Sequence, residues 1–393
     1  MIRRKHLCAG LLALSVGVIS ANAAFAGRGD EGKGDEDRGS DGIGDPRFQP
    51  LSSEPACKTT IMASVGGPTL RDSKTLAIRW MGYSNYELVY GDKIILLDNG
   101  YYNRAGTQYK DLGFDAAQVK RADLIIIGHA HADHMSDTAQ VGAQTKAPII
   151  AAPITITKLL TQPVNPKQLV SVTGTDGKIL KYPHLGITVQ PILGLHGQPP
   201  KFTSAFGAAY TAAAPPPTPS EAAAFAALGA RGSTDPNIIT QGTLAYVITF
   251  DDGFRLAYRD SGGYMTSYET AAMNQIGRVD ILLGAVAANI IAESQALVAL
   301  PMLETYRPAV WIPGHHEEEI GGKPDRATEP LFQYAKNAFP SLLTVSKQFR
   351  EPTCFDTRKN LSRGNGEFEG PSENGNTPSN SNLNDWMVQG LYF

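Results

Sequence analysis

The sequence predicts an α/β protein with four layers, an αββα sandwich in which two β-sheets pack face to face and helices cover the outer faces. Two observations predict it. A hairpin-rich opening is followed by strand–helix units, and a second round of the same kind comes later in the chain. Hydrophobic residues make up 42% of the 393 residues, which is enough to build a core between two sheets.

The first round covers residues 76–173. Residues 76–90 and 93–98 are predicted strands, and the turn residues Gly91 and Asp92 join them as a hairpin. Shorter apolar runs predict further strands at 124–128, 148–152 and 169–173.

The second round begins with a predicted strand at 187–195. A hairpin follows, with strands at 244–250 and 254–258 joined by Asp251-Asp252-Gly253. The remaining predicted strands are 279–286 and 310–313, and helical patterns lie at 266–277, 292–306 and 328–338.

The N-terminus has the pattern of an export signal. Residues 1–5 are basic, and 7–19 form an apolar stretch that is short for a bilayer core of about 30 Å. Ala24-Phe25-Ala26 offers a cleavage site, with a second candidate at 21–23. Cleavage after Ala26 predicts a periplasmic or secreted protein without stable membrane insertion, and an uncleaved anchor is the alternative.

Composition sets the domain boundaries. A Gly- and Asp-rich leader at 27–55 and a tail at 358–393 contain few apolar residues. Such segments cannot offset the entropy lost on ordering, so we expect the leader and most of the tail to be disordered. The folded domain is predicted to span 56–357.

Two cysteines remain after cleavage, Cys57 and Cys354, and they flank the folded domain. In an oxidising compartment, a disulfide between them would tie the two ends of the domain together. Two unpaired thiols are the alternative, because spacing alone does not establish the geometry.

The charge of the chain bears on its partners. The formal net charge is -3, so the chain lacks the excess of positive charge that is typical of proteins that bind nucleic acids. The expected partner is a small-molecule substrate.

The strongest chemical signal is a cluster of ligand-type residues directly after the predicted strand 124–128. It contains His129, His131, Asp133 and His134. On an extended segment, the first two histidines point the same way, because side chains repeat every second residue. A turn would then bring the other two residues to a neighbouring position. The cluster supplies two half-sites of nitrogen and oxygen ligands, suited to Zn²⁺ and also to Mn²⁺ or Fe²⁺.

The pattern His129-x-His131-x-Asp133-His134 resembles the signature of the metallo-β-lactamase superfamily, and the resemblance extends over roughly residues 75–345. It implies the metallo-β-lactamase fold and a site for two divalent metal ions, most simply zinc. It also implies ligands at the ends of later strands, and the matching residues are His196, Asp260 and His315.

Two more positions are implied behind these ligands. Asp98 matches an aspartate at the end of the second strand, where it would orient a ligand histidine. His316 lies next to His315 and would support the site from outside the ligand set.

Within the superfamily, the opening 79–84 resembles that of the sugar-lactone hydrolases and the N-acylethanolamine phospholipase D-like enzymes. The chain departs from that branch at several positions. Tyr83 stands where a histidine is usual, and no proline follows Asp98. Arg259 and Ser261 flank the matched aspartate in place of glycine and threonine. These departures leave the matched ligands unchanged. They affect instead which substrate the site would accept.

The resemblance implies how the ligands are shared. One metal takes His129, His131 and His196, the other takes Asp133, His134 and His315, and Asp260 bridges them. A hydroxide held by both metals would attack a lactone, ester or phosphodiester, and Asp133 would be the catalytic residue that orients it and shuttles its proton.

Two other functions use the same residues. The first is a mono-iron oxidoreductase of the same fold. The second is a non-catalytic periplasmic metal-binding protein. The apparently complete ligand set favours the hydrolase.

Residues 197–242 interrupt the alternation of strands and helices. The segment contains four prolines between Ala212 and Pro219 and a short alanine-rich helix pattern at 220–229. Because it starts directly after His196, we predict a lid that offers an apolar surface to the substrate. A mobile surface excursion is the alternative.

Overall fold

The structure is a computed structural model that describes residues 53–101, 115–197, 219–286, 292–315, 325–346, 349–359 and 361. Several predictions lie outside these residues: the export signal, the leader as far as residue 52, the tail from residue 362, residues 198–218 of the insert, and His316.

The first half of the described chain forms one β-sheet together with a strand from the C-terminal part. Its strands are β1 (Thr75–Trp80), β2 (Tyr86–Tyr90), β3 (Lys93–Leu97), β4 (Leu124–Ile126), β5 (Ile149–Ala151), β6 (Leu169–Ser171) and β14 (Pro352–Asp356). They lie in the order β14-β1-β2-β3-β4-β5-β6. Pairing is antiparallel from β14 to β3 and parallel from β3 to β6.

The second sheet repeats this arrangement. Its strands are β7 (Leu180–Tyr182), β8 (Ile187–Leu193), β9 (Leu244–Phe250), β10 (Arg255–Arg259), β11 (Ile281–Ala285), β12 (Val310–Gly314) and β13 (Leu343–Thr344). They lie in the order β13-β12-β11-β10-β9-β8-β7. Pairing is antiparallel from β7 to β10 and parallel from β10 to β13. The predicted second round is therefore a second sheet.

The helices follow the strand ends. They are α1 (Ala132–Met135), α2 (Thr138–Thr145), α3 (Pro153–Leu159), α4 (Pro219–Gly229), α5 (Ile238–Gln241), α6 (Ser267–Ile276), α7 (Ala292–Tyr306) and α8 (Asp325–Ala338). None of the helices within the described ranges is long and apolar enough to cross a membrane.

Three apolar clusters show how the layers pack. Along β1, Leu76, Ile78 and Trp80 belong to a cluster that also contains Val189 and Tyr246 of the second sheet. Successive side chains of a strand point to opposite faces, so the intervening side chains of β1 face outward. The outer face of the first sheet packs with α2 and α3, and that of the second sheet packs with α6, α7 and α8. This confirms the predicted αββα sandwich.

The prediction of a single strand over residues 76–90 was wrong. A turn at residues 81–85 divides it into β1 and β2. Gly82 and Tyr83 have φ angles of 91° and 47°, and the amide of Asn85 donates to the carbonyl of Gly82 at 2.8 Å. Left-handed backbone is incompatible with a continuous strand, so the chain reverses here.

The two cysteines that flank the domain are bonded to each other. Cys354 lies on β14 opposite Ala77 of β1. It forms a disulfide with Cys57, and the Cα atoms of the two cysteines are 6.0 Å apart. The same N-terminal segment is also bound by Glu87, whose carboxylate accepts hydrogen bonds from the amides of Ala63 and Ser64 at 3.0 and 2.8 Å. The bridge thus joins the two ends of the described domain.

Candidate metal centre

The predicted site residues meet at one edge of the sandwich, because parallel strands end at the same edge and a ligand-type residue follows several of these ends. Asp98 follows β3, His129 comes three residues after β4, His196 comes three residues after β8, Asp260 follows β10 and His315 follows β12. All seven predicted ligands fall into groups of three whose ligand atoms lie within 4.8 Å of one another.

The first group is His129, His131 and His196. Nε2 of His129 lies 3.0 Å from Nδ1 of His131, and the ring of His196 meets both other rings edge-on at centroid distances of 4.7 and 4.5 Å. The amide of His196 donates to the carbonyl of Ile239 on α5 at 3.0 Å, which fixes the backbone at this ligand.

Burial determines the charge of this group. It lowers the pKa of His129 well below the usual range and also lowers that of His131. Burial, with the neighbouring histidines, lowers the pKa of His196 to about 2. The three rings are therefore neutral at physiological pH, and neutral imidazole is the form that binds a metal ion.

The second group is Asp133, His134 and His315. Oδ2 of Asp133 lies 3.1 Å from Nε2 of His315 and 3.2 Å from Nε2 of His134. Burial would raise the pKa of Asp133, but the two histidines outweigh it and hold the pKa well below the usual range. Burial opposes the charge on His134 as well, and the carboxylates of Asp133 and Asp98 raise its pKa well above the usual value.

Asp98 lies behind this second group. Its Oδ2 is 2.5 Å from Nδ1 of His134, and its Oδ1 accepts a hydrogen bond from the amide of Gly128 at 2.8 Å. The contact with Nδ1 leaves Nε2 of His134 directed at Asp133. A carboxylate in this position can fix the orientation of the His134 ring, which is the role that the resemblance implies for Asp98.

Asp260 lies between the two groups and forms a third group with His129 and His134. Its Oδ2 is 2.5 Å from Nδ1 of His129 and 3.4 Å from Nδ1 of His134. Its Oδ1 is buried and has no hydrogen-bond partner among the described residues. A buried carboxylate oxygen without a partner is costly, and a cation would satisfy it.

The donor set fits divalent transition metals. Imidazole nitrogens and carboxylate oxygens from seven side chains converge, and the rings of the first group are neutral. Oδ1 of Asp260 is buried between the groups without a hydrogen-bond partner among the described residues. This is the ligand chemistry of Zn²⁺, Mn²⁺ or Fe²⁺ sites.

Sequence reasoning missed several residues that hold the ligands in place. Oγ of Ser84 donates to the carbonyl of Asp260 at 2.7 Å. Nδ2 of Asn85 reaches the carbonyls of Gly100 and Asp133 at 3.3 Å each, and its Oδ1 accepts from the amide of Gly100 at 2.8 Å. Ser84 ends the stretch 79–84 that resembles the sugar-lactone hydrolases, and Asn85 follows it directly, but nothing in the sequence indicates these contacts.

Comparisons with known proteins agree with this fold. The family model described as the metallo-beta-lactamase superfamily matches residues 79–227. No curated protein matches the chain.

The chain also matches solved structures at low sequence identity. A metallo hydrolase from the archaeon Ignicoccus hospitalis is 15% identical, with a TM-score of 0.48, over 72% of this chain and 98% of its own. An isothiocyanate hydrolase from gut bacteria of Delia radicum is 14% identical, with a TM-score of 0.44, over 68% and 96%. The diiron β-hydroxylase CmlA from Streptomyces venezuelae is 10% identical, with a TM-score of 0.45, over 73% and 55%.

The chain has the metallo-β-lactamase fold, two mixed sheets between layers of helices. That fold, the convergent His and Asp ligand set and the family match over residues 79–227 support placing this chain among the enzymes of the metallo-β-lactamase superfamily.

Proposed function

We propose that this chain is an exported metal-dependent hydrolase that cleaves a lactone, ester or phosphodiester bond. The observation that carries the proposal is the pair of three-residue ligand groups at the strand ends, with Asp260 between them. Two divalent cations bound there would activate a water molecule and polarise the carbonyl or phosphoryl oxygen of the substrate.

Asp133 is the residue in position to move the proton. Its carboxylate is held ionised by His134 and His315, and its side chain is 19% exposed, so water reaches it. An ionised carboxylate next to the attacking water can accept its proton and then donate that proton to the leaving group.

The other ligands provide binding and orientation. His129, His131 and His196 are neutral and would hold one cation through nitrogen lone pairs. Asp98 fixes the ring of His134 through Nδ1. Both cysteines of the described domain are joined in the disulfide, so neither supplies a thiol nucleophile.

Metal analysis with a substrate panel tests the proposal. The mature protein is expected to contain close to two transition metals per chain and to hydrolyse at least one class among chromogenic esters, lactones and phosphodiesters. Iron as the bound metal, with oxygen consumption and no hydrolysis, would instead favour the oxidoreductase. Bound metal without turnover of any kind would favour the non-catalytic metal-binding protein.

The variant His131→Ala tests whether metal binding can be lost without loss of the fold. His131 is only half-buried, so we expect the variant to remain folded while it loses activity and at least one metal ion. His184→Ala is the matched control, because His184 is exposed and belongs to none of the ligand groups. Full metal content and full turnover in the His131 variant would show that the site is misplaced.

Export has its own test. The intact mass of protein from the periplasmic fraction is expected to begin at Gly27, or near Ala24 if the upstream cleavage site is used. A mature protein that retains Met1 would contradict this part of the proposal.

A further inference from the structure

Arg259 is a buried cation that lies directly before Asp260 in the sequence. Its side chain is 2% exposed, and its Nε donates to Oε1 of Glu269, which is fully buried, at 2.8 Å. Oε1 of Glu269 also accepts from the hydroxyl of Tyr306 at 2.9 Å, and Oε2 accepts from the amide of Thr266 at 3.0 Å. The positive charge is thus balanced by a carboxylate that is itself anchored to α6 and α7.

Both Nη atoms of Arg259 donate to the loop that follows it. Nη1 donates to the carbonyl of Ser261 at 2.5 Å, and Nη2 donates to the carbonyls of Gly263 and Tyr264 at 2.6 and 3.1 Å. A planar guanidinium presents several donors in a fixed fork, whereas a lysine presents a single flexible ammonium. Only arginine can hold these three carbonyls and Glu269 together.

The other side of this loop contacts the segment that carries His196. The amide of Gly197 donates to Oγ of Ser261 at 2.8 Å. Oγ1 of Thr266 donates to the carbonyl of Leu193 at 2.7 Å. A Cβ atom at Gly263 would lie 2.0 Å from the carbonyl oxygen of Leu195, so the two backbones are in direct contact.

We propose that Arg259 is a positioning residue of the metal centre: its guanidinium fixes the loop 260–264, and this loop fixes both Asp260 and the end of β8 that leads to His196. The proposal rests on the proposed metal-binding function for its consequence, and on the hydrogen bonds above for its geometry.

Hydrogen exchange on the metal-free mature protein tests the geometry. Arg259→Met and Arg259→Lys are both expected to lose protection at the Gly197 amide, because the loop that carries Ser261 is released. Arg79→Met is the matched control. Arg79 is equally buried and paired with Glu87 at 2.9 Å, but its other contacts are the carbonyls of Ala56 and Thr59, away from the ligand groups. It is expected to lower stability without changing exchange at Gly197.

Metal titration of the same variants tests the consequence. Both Arg259 variants are expected to bind Zn²⁺ with affinity about 10- to 100-fold lower than the unmodified protein, the usual cost of losing a residue that orients ligands. With Co²⁺ as a probe, the visible spectrum of the bound ion is expected to change in the Arg259 variants and to be unchanged in Arg79→Met. Measurements are made well below the unfolding temperature of each variant.

Each outcome decides. Unchanged exchange at Gly197 in the Arg259 variants overturns the proposal, and so does an equal loss of protection in Arg79→Met. Should Arg259→Met not fold, Arg259→Lys decides, because it keeps a charge beside Glu269. An unmodified protein that binds no metal overturns the proposed function, while the exchange result still tells whether Arg259 fixes the loop.

Discussion

His315 and Tyr83 are joined through their backbones, and both adopt the left-handed conformation. The amide of His315 donates to the carbonyl of Tyr83 at 2.7 Å, and their φ angles are 60° and 47°. Nε1 of Trp80 donates to the same carbonyl at 2.6 Å, and the rings of Tyr83 and His315 meet edge-on at 5.4 Å. Left-handed non-glycine residues are strained and collect at functional sites. Through this hydrogen bond, the turn after β1 holds the backbone of His315, a predicted ligand that follows β12 of the second sheet.

Two substitutions at Tyr83 distinguish the effect of its ring from the effect of its backbone conformation. Tyr83→Asn and Tyr83→Val both remove the ring, but asparagine adopts left-handed φ readily and valine does not. We expect the valine variant to be less stable in urea unfolding than the asparagine variant, by about 1–2 kcal/mol. The valine variant should also bind metal more weakly, because the carbonyl that holds His315 is displaced. Equal stability and equal metal affinity would show that the left-handed turn does not position the ligand.

Asp98 is predicted to act through its charge on His134. Asp98→Asn keeps the shape and tolerates the left-handed φ of 55°, so the backbone should not change. Loss of the carboxylate at Nδ1 of His134 is expected to lower metal affinity about 10- to 100-fold. Asp123→Asn is the control, since Oδ2 of Asp123 accepts a hydrogen bond from the amide of Ile94 in the same sheet and contacts no ligand. Titration with Zn²⁺ should distinguish the two variants, and equal affinities would refute the orienting role.

Gly128 makes room for Asp260. A Cβ atom at Gly128 would lie 2.0 Å from Oδ2 and Cγ of Asp260, so any side chain there must displace the carboxylate. Gly128→Ala is therefore expected to lose metal and activity. At Gly194, which is also buried near a strand end, a Cβ would meet its nearest atom at 3.6 Å, an ordinary contact. Gly194→Ala should keep both properties, and the contrast is read by elemental analysis of the two purified variants.

The sequence indicated the residues that meet at this edge of the sandwich better than the residues that hold them in place. His129, His131, Asp133 and His134 could be found because they are local, four ligand-type residues directly after an apolar strand. The more distant ligands needed the family resemblance, because nothing in the spacing of His196 or His315 indicates that two sheets bring them together.

The turn, side chain and strand that hold these residues in place could not be predicted, because they depend on contacts between distant segments. The turn at 81–85 could not be recognised, because the apolar and aromatic residues on both sides of it continue the pattern of a strand. Arg259 stood out only as a departure from glycine, since its acceptors come from the loop that follows and from α6. Strand β14 is short and begins with proline, and it is recognisable only once it pairs with β1.

The end of the insert packs directly on the loop that carries the ligand cluster. The amide of Ser233 donates to the carbonyl of Ala130 at 2.7 Å, between two predicted ligands. Nη1 of Arg231 lies 3.2 Å from Oδ1 of Asp137, just beyond α1. A Cβ atom at Gly232 would lie 2.5 Å from the backbone nitrogen of Ala132. The returning end of the insert therefore forms one wall of the ligand loop.

This packing predicts that a methyl group on the insert disturbs the metal centre. Gly232→Ala must push the loop at Ala132 away, so we expect weaker Zn²⁺ binding, with His131 and Asp133 on either side of the contact. Gly229→Ala, three residues earlier at the end of α4, meets no atom within 4 Å and should bind metal like the unmodified protein. Competition of each variant with a chromogenic chelator measures the difference. If both variants release Zn²⁺ at the same chelator concentration, the insert packs beside the ligand loop without helping to position it.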